Sequence, residues 1–399
     1  MKIVQINACD NGSTGKILLD IFDGIGKENE RIAFVSRKYS SRDEVIKMHS
    51  RLQYRIHKFL SSYLGLDEFG SYFSTKKTIN QLKKIKPDIL HLHNLHDHTI
   101  NYVLLFRYIK KYNVKTIWTM HDCWAFTGGC FYFELNGCEK WKTGCSHCKY
   151  LKSTGMVANI DRTKRQYYLK KKSFLNVKNM LIVTPSEWLK NHVKNSFLKE
   201  YEVKVILNGI NLDNFSRTDR HTFDNIIDRH KKVLLGVAAP FNERKGFSDF
   251  IKLADMLQPE FQLVMVGLND EQLATLPGKI VGIKRTNNQK ELAELYSMAY
   301  AFLNLTYEDT SSTVNVEALA CGTPVICYKS GGATEMLDSG NSVVVEQGNL
   351  EGILKALEKA EILNGARDDI ERRAKKNFSS QRMADEYAMI YKEMNSRGN

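Results

Sequence analysis

Two series of short apolar strands that alternate with helices constrain the fold of this chain more than any other feature. The first series contains the strand-like segments KIVQINA, KPDILHLHN and KTIWTMHD, followed by NMLIVTPSEWLKNHVKNSF, which has the pattern of a strand, a Pro-Ser turn and a helix. The second series begins near residue 204 and contains KKVLLGVAAP, the helical GFSDFIKLADML and FQLVMVG. Strands that alternate with helices predict βαβ units and parallel sheets.

The chain has 399 residues, which is more than one hydrophobic core usually supports, so two domains are expected. We predict Rossmann-like domains over 1–205 and 206–378. The last segment, 379–399, contains the amphipathic RMADEYAMIYKEM, which we expect to cross back to the N-terminal domain. The predicted fold class is α/β, with two doubly wound domains that face each other across a cleft and bind ligands beyond the carboxyl ends of their strands.

The formal net charge is +13. A solvated basic surface and an anionic partner both explain this charge, and the anionic partners to consider are nucleic acid, acidic lipid and a phosphorylated small molecule. The sequence has no run of eighteen apolar residues, so no membrane span is expected. The first residues, MKIVQINAC, lack the apolar core of a signal peptide, which predicts a cytoplasmic location.

The segment TYEDTSSTVNVEALACGTPVI combines carboxylates with a predicted helix start. We expect the helix to begin near Ser311, Ser312 or Thr313, since hydroxyl residues are good N-caps. Unpaired N–H groups and the helix dipole make such an end an anion site, best matched to phosphate. Asp309 precedes this end and Glu317 lies about one turn inside. A diphosphate would therefore be flanked by carboxylates that accept hydrogen bonds from hydroxyl groups. The alternative is that Asp309 caps the helix and Glu317 makes a surface contact.

This segment resembles the family 4 glycosyltransferases, which have the two-domain GT-B fold. Asp309, Glu317, Ala318 and the sequence Cys-Gly-Thr-Pro at 321–324 match the motif of the family, although Asp309 stands where Glu is commoner. The resemblance extends over nearly the whole chain. It implies that Asp309 contacts the sugar of a nucleotide-sugar donor and that Glu317 holds the ribose. It also implies an acceptor-binding N-terminal domain, a donor-binding C-terminal domain, and transfer with retention and without a catalytic metal.

The sequence Arg244-Lys245-Gly246 resembles the diphosphate-binding Lys-Gly of the same family. The usual arginine five residues before the lysine is replaced here by Pro240, and Arg244 is the candidate substitute. The resemblance implies that Lys245 and Arg244 neutralise the leaving diphosphate. A solvated basic loop is the alternative.

In the first half, histidines follow two predicted strands. His121 and Asp122 stand where the family has its strand end beneath the donor sugar, and His93 follows the preceding strand. We predict that His121 contacts the sugar or stabilises the transition state, and that His93 and Asp122 orient groups or bind the acceptor. The resemblance also places Gly12 and Gly15 in a glycine-rich loop near the donor, after the first strand.

Four cysteines cluster between residues 130 and 148: Cys130, Cys138, Cys145 and Cys148. In a reducing compartment such a cluster favours metal, and Cys-Ser-His-Cys has the spacing of half a zinc knuckle. We predict a structural zinc within a cysteine-rich insertion over about 123–150, an insertion that resembles one in exopolysaccharide and colanic-acid transferases of the family. Unligated thiols are the alternative.

Two basic, aromatic segments, 51–66 and 163–174, have the composition of helices that lie on an anionic membrane surface. Such contact would suit a lipid-linked acceptor. The alternative for each segment is a solvated helix face.

The predicted function is that of a retaining glycosyltransferase, which moves a hexosyl or N-acetylhexosaminyl group from a nucleotide-sugar, with a UDP-sugar favoured. The predicted acceptor is a glycan or a lipid-linked precursor of a cell-surface polysaccharide. A nucleotide-sugar 2-epimerase of the same architecture is the first alternative. The second is a basic nucleic-acid-binding protein, which the diphosphate motif disfavours, so nucleic acid is not an expected partner.

Overall fold

A computed structural model of the chain describes residues 1–151 and 159–397, and at Glu68 only the backbone. The chain divides into two compact units. The N-terminal unit comprises Met1–Leu207 and Gln381–Asn399, and the C-terminal unit comprises Asn208–Ser380. Among the described residues, no helix has the length and apolar character needed to cross a membrane.

The sheet of the N-terminal unit is parallel throughout. Its strands are β1 (Lys2–Cys9), β2 (Glu30–Arg37), β3 (Val45–Lys47), β4 (Ile89–Leu92), β5 (Thr116–Thr119), β6 (Met180–Thr184) and β7 (Glu202–Val205). Their order in the sheet is β3-β2-β1-β4-β5-β6-β7. The helices between these strands are α1 (Gly12–Gly24), α2 (Arg51–Leu64), α3 (Tyr72–Ile85), α4 (Tyr102–Tyr112), α5 (Lys140–Thr143), α6 (Thr163–Phe174) and α7 (Glu187–Lys194).

Side chains of β1 alternate between two cores, one on each face of this sheet. Val4 and Ile6 belong to a core that includes Trp118, whereas Ile3 belongs to a core that includes Ile117. A parallel sheet is covered by helices on both faces, so its strands are apolar on both sides. This explains why the strands of the sequence are continuous apolar runs.

The C-terminal unit has a second parallel sheet. Its strands are β8 (Lys232–Val237), β9 (Phe261–Val266), β10 (Ile280–Ile283), β11 (Ala301–Asn304), β12 (Val325–Tyr328) and β13 (Ser342–Val345), in the order β10-β9-β8-β11-β12-β13. Its helices are α8 (Phe247–Met256), α9 (Asp270–Ala274), α10 (Gln289–Met298), α11 (Thr313–Ala320), α12 (Leu350–Asn364) and α13 (Arg367–Asn377).

The last helix, α14 (Ser380–Ser396), packs on the N-terminal unit. It contributes buried residues to the core that contains Ile3 and Ile117. Two tyrosine hydroxyls also bond into the sheet, because Tyr391 contacts Nδ1 of His91 at 2.7 Å and Tyr387 contacts the hydroxyl of Thr119 at 2.8 Å. The helix thus completes one face of a sheet whose strands lie far away in the sequence.

The two basic aromatic segments differ in exposure. Helix α2 leaves Leu52, Ile56, Phe59 and Tyr63 exposed at 66%, 51%, 53% and 56%. Helix α6 instead buries most of its apolar side, including both Tyr167 and Phe174. Helix α6 therefore offers less apolar surface to a membrane than α2, which keeps an apolar stripe at helical spacing, and membrane contact by either helix stays a prediction.

The glycine-rich segment after β1 is helical, where a tight loop was predicted. Helix α1 begins at Gly12, and Gly15 lies buried in its first turn. A Cβ atom on Gly15 would lie 2.6 Å from the backbone carbon of Asp10. The absence of a side chain therefore allows the first helical turn to pack directly on the end of β1.

We predict that Gly15→Ala destabilises the N-terminal unit. Alanine improves helix propensity by about 1 kcal/mol, but inserting a methyl group into a packed site costs about 1–3 kcal/mol. Because the clash is with backbone rather than a flexible side chain, the steric cost should exceed the gain. Differential scanning calorimetry should show a lower Tm for the transition of this unit.

The matched control is Gly278→Ala in the C-terminal unit, where an added Cβ would have no atom within 4 Å. This variant should keep the wild-type Tm. A Gly15→Ala protein as stable as the wild type would contradict the packing role of Gly15.

Candidate active site

Helix α11 begins within the predicted range and lacks a side-chain cap. Ser312 is the N-cap residue, but its hydroxyl accepts a 2.8 Å hydrogen bond from the side-chain amide of Asn304 and makes no capping bond. The described first turn of α11 contains no acidic residue. Nearby, Oγ of Ser311 is buried without a hydrogen-bond partner among the described residues. The partial positive charge of this helix end is thus not neutralised by its own side chains.

An ion pair lies directly before this helix. Nζ of Lys245 is 2.6 Å from Oδ2 of Asp309, and both side chains are largely buried. Lys245 ends a short 3-10 turn, Glu243–Lys245, which is followed by Gly246 in the left-handed region. A Cβ on Gly246 would lie 2.3 Å from the carbonyl oxygen of Leu305, so only glycine allows the lysine loop to approach the end of β11.

Arg244 holds the loop that carries the carboxylates. Its Nη1 donates to the carbonyl of Glu308 at 2.6 Å, while its own carbonyl accepts from the backbone N–H of Tyr307 at 2.8 Å. The side chain of Glu308 is fully buried. The structure therefore gives Arg244 an anchoring contact, and diphosphate binding by this residue stays a prediction.

Glu317 lies inside α11 and is 9% exposed. Its Oε2 accepts a 3.1 Å hydrogen bond from the hydroxyl of Tyr296. Burial and the neighbouring carboxylate raise the pKa of Tyr296 well above its usual value, so this hydroxyl remains a donor. No sequence pattern pointed to Tyr296, since an aromatic residue in a helix before a strand usually belongs to the core.

A buried amide network supports the start of α11, and sequence reasoning missed it. Asn304 donates to both Oγ of Ser312 and Oδ1 of Asn315, each at 2.8 Å, and Asn315 donates to the carbonyl of Ala333 at 2.8 Å. Asn304 ends β11. A polar residue at the end of an apolar strand was the available signal. The network fixes the helix start relative to the end of β11 and to the 3-10 turn Gly331–Thr334 that follows β12.

In the N-terminal unit, the predicted histidines come together at neighbouring strand ends. The rings of His93 and His121 are stacked, with their centroids 5.4 Å apart, and Nδ1 of His93 lies 3.1 Å from Nε2 of His121. Nε2 of His93 lies 3.0 Å from Oε1 of Gln5 on β1. Burial lowers the pKa of His121 to about 4 and that of His93 well below its usual value. Both rings are therefore neutral at pH 7.

The hydrogen bonds determine the direction of the protons in this pair. Because Oε1 of Gln5 accepts, Nε2 of His93 carries its single proton and its Nδ1 is an acceptor. Nε2 of His121 must then donate to it, which leaves Nδ1 of His121 with a lone pair. His121 can accept a hydrogen bond from a hydroxyl group, but it is a poor source of positive charge.

Asp122 lies with a histidine that was not predicted to take part. Its Oδ2 accepts from Nε2 of His96 at 2.7 Å, and its Oδ1 accepts from the backbone of Trp124 at 2.9 Å. Burial favours a raised pKa for Asp122. The interaction with His96, through charge and a hydrogen bond, outweighs the effect of burial and lowers this pKa. Of the predicted glycines, Gly12 is exposed at the start of α1, whereas Gly15 is buried.

The four clustered cysteines border one cavity of about 230 Å³. Backbone N–H groups approach two of the sulfurs, from Gly128 to Cys145 at 3.1 Å and from Tyr150 to Cys148 at 3.4 Å. A hydrogen bond with Cys130 lowers the pKa of Cys148 to about 6, whereas burial raises that of Cys145 to about 11. Four thiols around one cavity, two of them with N–H donors, suit the predicted zinc ion, whose charge would stabilise the thiolate form.

The cysteine sulfur atoms lie farther from one another than the ligands of one metal ion do. Among the described residues, the one set of three potential ligands with atoms all within 4.8 Å of one another is His57, Asp67 and His98. A zinc ion with Zn–S distances near 2.3 Å would draw the cysteines together. The structural zinc stays a prediction.

Two family profiles match the chain. The profile described as Glycosyltransferase Family 4 matches residues 31–214, and the profile described as Glycosyl transferases group 1 matches residues 218–377. Together they extend over most of both units. The chain belongs to the family 4 glycosyltransferases, as the motif around Asp309 and Glu317 predicted.

Curated relatives agree with this family. WcaC of Escherichia coli K12 carries the name of a colanic acid biosynthesis glycosyl transferase. It is 26% identical over 99% of this chain and 100% of its own length. The processive diacylglycerol alpha-glucosyltransferase of Acholeplasma laidlawii is 29% identical over 37% of this chain and 47% of its own length.

Solved structures of similar fold cover the whole chain. A sucrose-phosphate synthase from Thermosynechococcus elongatus has a TM-score of 0.75 at 14% identity and covers 100% of both chains. HepE from Anabaena, in complex with UDP, has a TM-score of 0.68 at 11% identity and covers 98% of this chain and 100% of its own. At such identities the similarity shows the fold, and the predicted fold class, α/β with two Rossmann-like domains of the GT-B type, is confirmed.

We predict that the purified protein contains about one zinc per chain, held by the clustered cysteines. Cys138→Ser and Cys148→Ser should each lower the zinc content measured by mass spectrometry, because thiolates are the ligands that structural zinc prefers. The control is Cys9→Ser, a free cysteine outside the cluster, which should keep its zinc.

Two results would contradict this assignment. One is a wild-type protein that neither carries zinc nor binds it on titration. The other is zinc that persists in the cysteine variants but is lost in His98→Ala, which would place the ion at His57, Asp67 and His98.

Proposed function

We propose that the protein is a retaining glycosyltransferase that moves a sugar from a nucleotide-diphosphate-sugar to a glycan or lipid-linked acceptor in cell-surface polysaccharide biosynthesis. The observation that carries the proposal is the grouping of Lys245, Asp309 and Glu317 around the start of α11. A UDP-sugar is the favoured donor, since the structural neighbour HepE is in complex with UDP.

Glu317 is suited to hold the ribose of the donor. One carboxylate oxygen accepts from Tyr296, which fixes the orientation of the group within α11. A carboxylate has about four lone-pair sites, so Glu317 can accept hydrogen bonds from two vicinal hydroxyls in addition to the one from Tyr296. The largely buried position strengthens such hydrogen bonds, because water competes less for the acceptor.

Lys245 is suited to neutralise the diphosphate. In the absence of ligand its ammonium pairs with Asp309, which offsets the cost of burying both charges. A bound diphosphate would share this ammonium together with the amides of residues 311–313 and the hydroxyl of Ser311, which has no partner among the described residues. Asp309 would then accept hydrogen bonds from hydroxyls of the sugar. As the leaving group departs, its growing charge would meet groups already in place.

Retention requires no protein base if the leaving phosphate takes the proton of the acceptor on the same face of the sugar. The neutral ring of His121 supports this proposal, because it lies at the sheet edge without adding a charge there. The name of the Acholeplasma relative, an alpha-glucosyltransferase, also supports it. The group that we propose is transferred is a hexosyl or an N-acetylhexosaminyl group.

Helix α2 is the surface that we propose for contact with a membrane. Its exposed stripe of Leu52, Ile56, Phe59 and Tyr63 stands beside the basic residues Arg51, Arg55 and Lys58. An exposed apolar stripe with adjacent cations suits the boundary of an anionic bilayer. Such contact would bring the enzyme to lipid-linked acceptors.

We predict that Glu317→Ala raises the donor KM about ten- to hundredfold, since hydrogen bonds to a charged group contribute about 1.5–3 kcal/mol. Tyr296→Phe should raise it less, because the carboxylate remains. Steady-state kinetics over a panel of nucleotide-sugars measures both effects.

Glu358→Ala on α12 is the control, because this glutamate is exposed and outside the site. Wild-type kinetics for Glu317→Ala would remove the donor-site assignment. Incubating donor without acceptor tests the alternative, since accumulation of a 2-epimer would contradict the transferase proposal.

We predict that replacing Leu52 and Phe59 together by Ser lowers binding to phosphatidylglycerol vesicles several-fold in sedimentation assays, because the replacement removes the apolar stripe. Ile362→Ser is the control, as Ile362 is 77% exposed on another unit. If the wild-type protein does not sediment with these vesicles at low salt, α2 is not a membrane surface.

A further inference from the structure

We propose that a cavity of about 510 Å³ within the N-terminal unit binds the phosphate of a lipid phosphate acceptor, through Lys58 and Lys170. This inference rests on the proposed function only in calling the lipid phosphate an acceptor, because binding of the phosphate in the cavity does not require sugar transfer. Helix α2 forms one wall through Lys58 and Ser61, and α6 forms another through Gln166 and Lys170.

The carboxylates around the cavity have partners other than its two lysines. Asp67 contacts His57 at 3.0 Å, and Asp97 pairs with Arg37. Among the described residues, neither Lys58 nor Lys170 has a carboxylate within ion-pair distance. The two lysines of the wall are therefore placed to pair with an anionic ligand.

Lys170 is a built feature of the cavity rather than a surface lysine. It is 0% exposed, and its Nζ donates to the carbonyls of Trp124 at 2.8 Å and Thr127 at 3.3 Å. The ammonium also lies 3.8 Å from the centroid of a Trp124 ring. An ammonium has three N–H donors, so one is left for a ligand in the cavity that Lys170 borders. Burial lowers the pKa of Lys170 to about 7, and a phosphate in the cavity would supply the negative charge that stabilises its ammonium form.

Two histidines on the cavity wall complement the lysines. Nδ1 of His96 and Nδ1 of His98 are buried without hydrogen-bond partners among the described residues. Nε2 of His96 donates to Asp122, so its Nδ1 is the ring nitrogen left for a ligand. The cavity therefore offers lysines for phosphate oxygens and unpartnered ring nitrogens for hydrogen bonds to hydroxyl groups, which matches a phosphate ester that carries a sugar.

Helix α2 connects this cavity to the apolar stripe. Lys58, Ser61 and Tyr63 border the cavity, while Phe59 and Tyr63 belong to the exposed stripe and stack on each other with centroids 5.2 Å apart. A phosphate held at Lys58 would thus place its substituent beside apolar side chains. This favours a lipid phosphate over a free sugar phosphate.

The test is calorimetric titration with farnesyl diphosphate below its micellar concentration and with inorganic pyrophosphate, in the absence of any nucleotide-sugar. All proteins carry Lys245→Met, which removes the other proposed diphosphate site. Adding Lys170→Met or Lys58→Met should weaken farnesyl diphosphate binding about ten- to hundredfold, since each removes a charge-assisted hydrogen bond. Lys58 is exposed, so Lys58→Met keeps the fold even if Lys170→Met does not. Phe59→Ser should weaken farnesyl diphosphate but not pyrophosphate.

Unchanged farnesyl diphosphate binding in the Lys58→Met and Lys170→Met variants would overturn the proposal. Equal affinity for pyrophosphate and farnesyl diphosphate would overturn its lipid part. Lysine-dependent binding in these variants, together with a wild-type protein that transfers no sugar from any donor, would support the cavity and refute the proposed function instead.

Discussion

Parallel pairing of every strand is the constraint on which the rest of this structure depends. In a parallel sheet all carboxyl ends lie at one edge, so the loops that follow the strands gather there. This is why His93 and His121, which follow β4 and β5, stack on each other. Gln5, on the neighbouring strand β1, contacts His93. In the C-terminal unit the same rule brings the residues after β11 to the start of α11.

Burial then decides what these groups can do. The histidines at the sheet edge are neutral because the interior disfavours their charged form, so they serve as hydrogen-bonding groups. Lys245 and Asp309 remain charged because they are paired. The N-terminal unit thus presents neutral acceptors at its sheet edge, whereas the C-terminal unit presents a cation beside a helix start, a division that suits hydroxyl groups in one place and phosphate in the other.

The sequence was sufficient for what depends on periodicity and on local motifs. The alternating strands and helices, the start of α11, the grouping of Lys245 with Asp309 and the return of α14 all follow from it. Contacts that depend on how side chains and backbone pack in space were beyond it. Tyr296 bonds to Glu317 from another helix, His96 takes Asp122, and Gly15 packs on Asp10 within one turn. Each depends on packing direction, which periodicity does not specify.

The position of α14 sets an order for biosynthesis. Ile3 and Ile117 are synthesised early, and α1 covers part of the sheet face that they form, but α14 completes the cover only after the ribosome has made the whole C-terminal unit. Until then the nascent chain carries a partly uncovered apolar face, the kind of surface that chaperones bind and that promotes aggregation. Fusions or truncations at the carboxyl terminus would therefore act on the folding of the opposite end of the polypeptide.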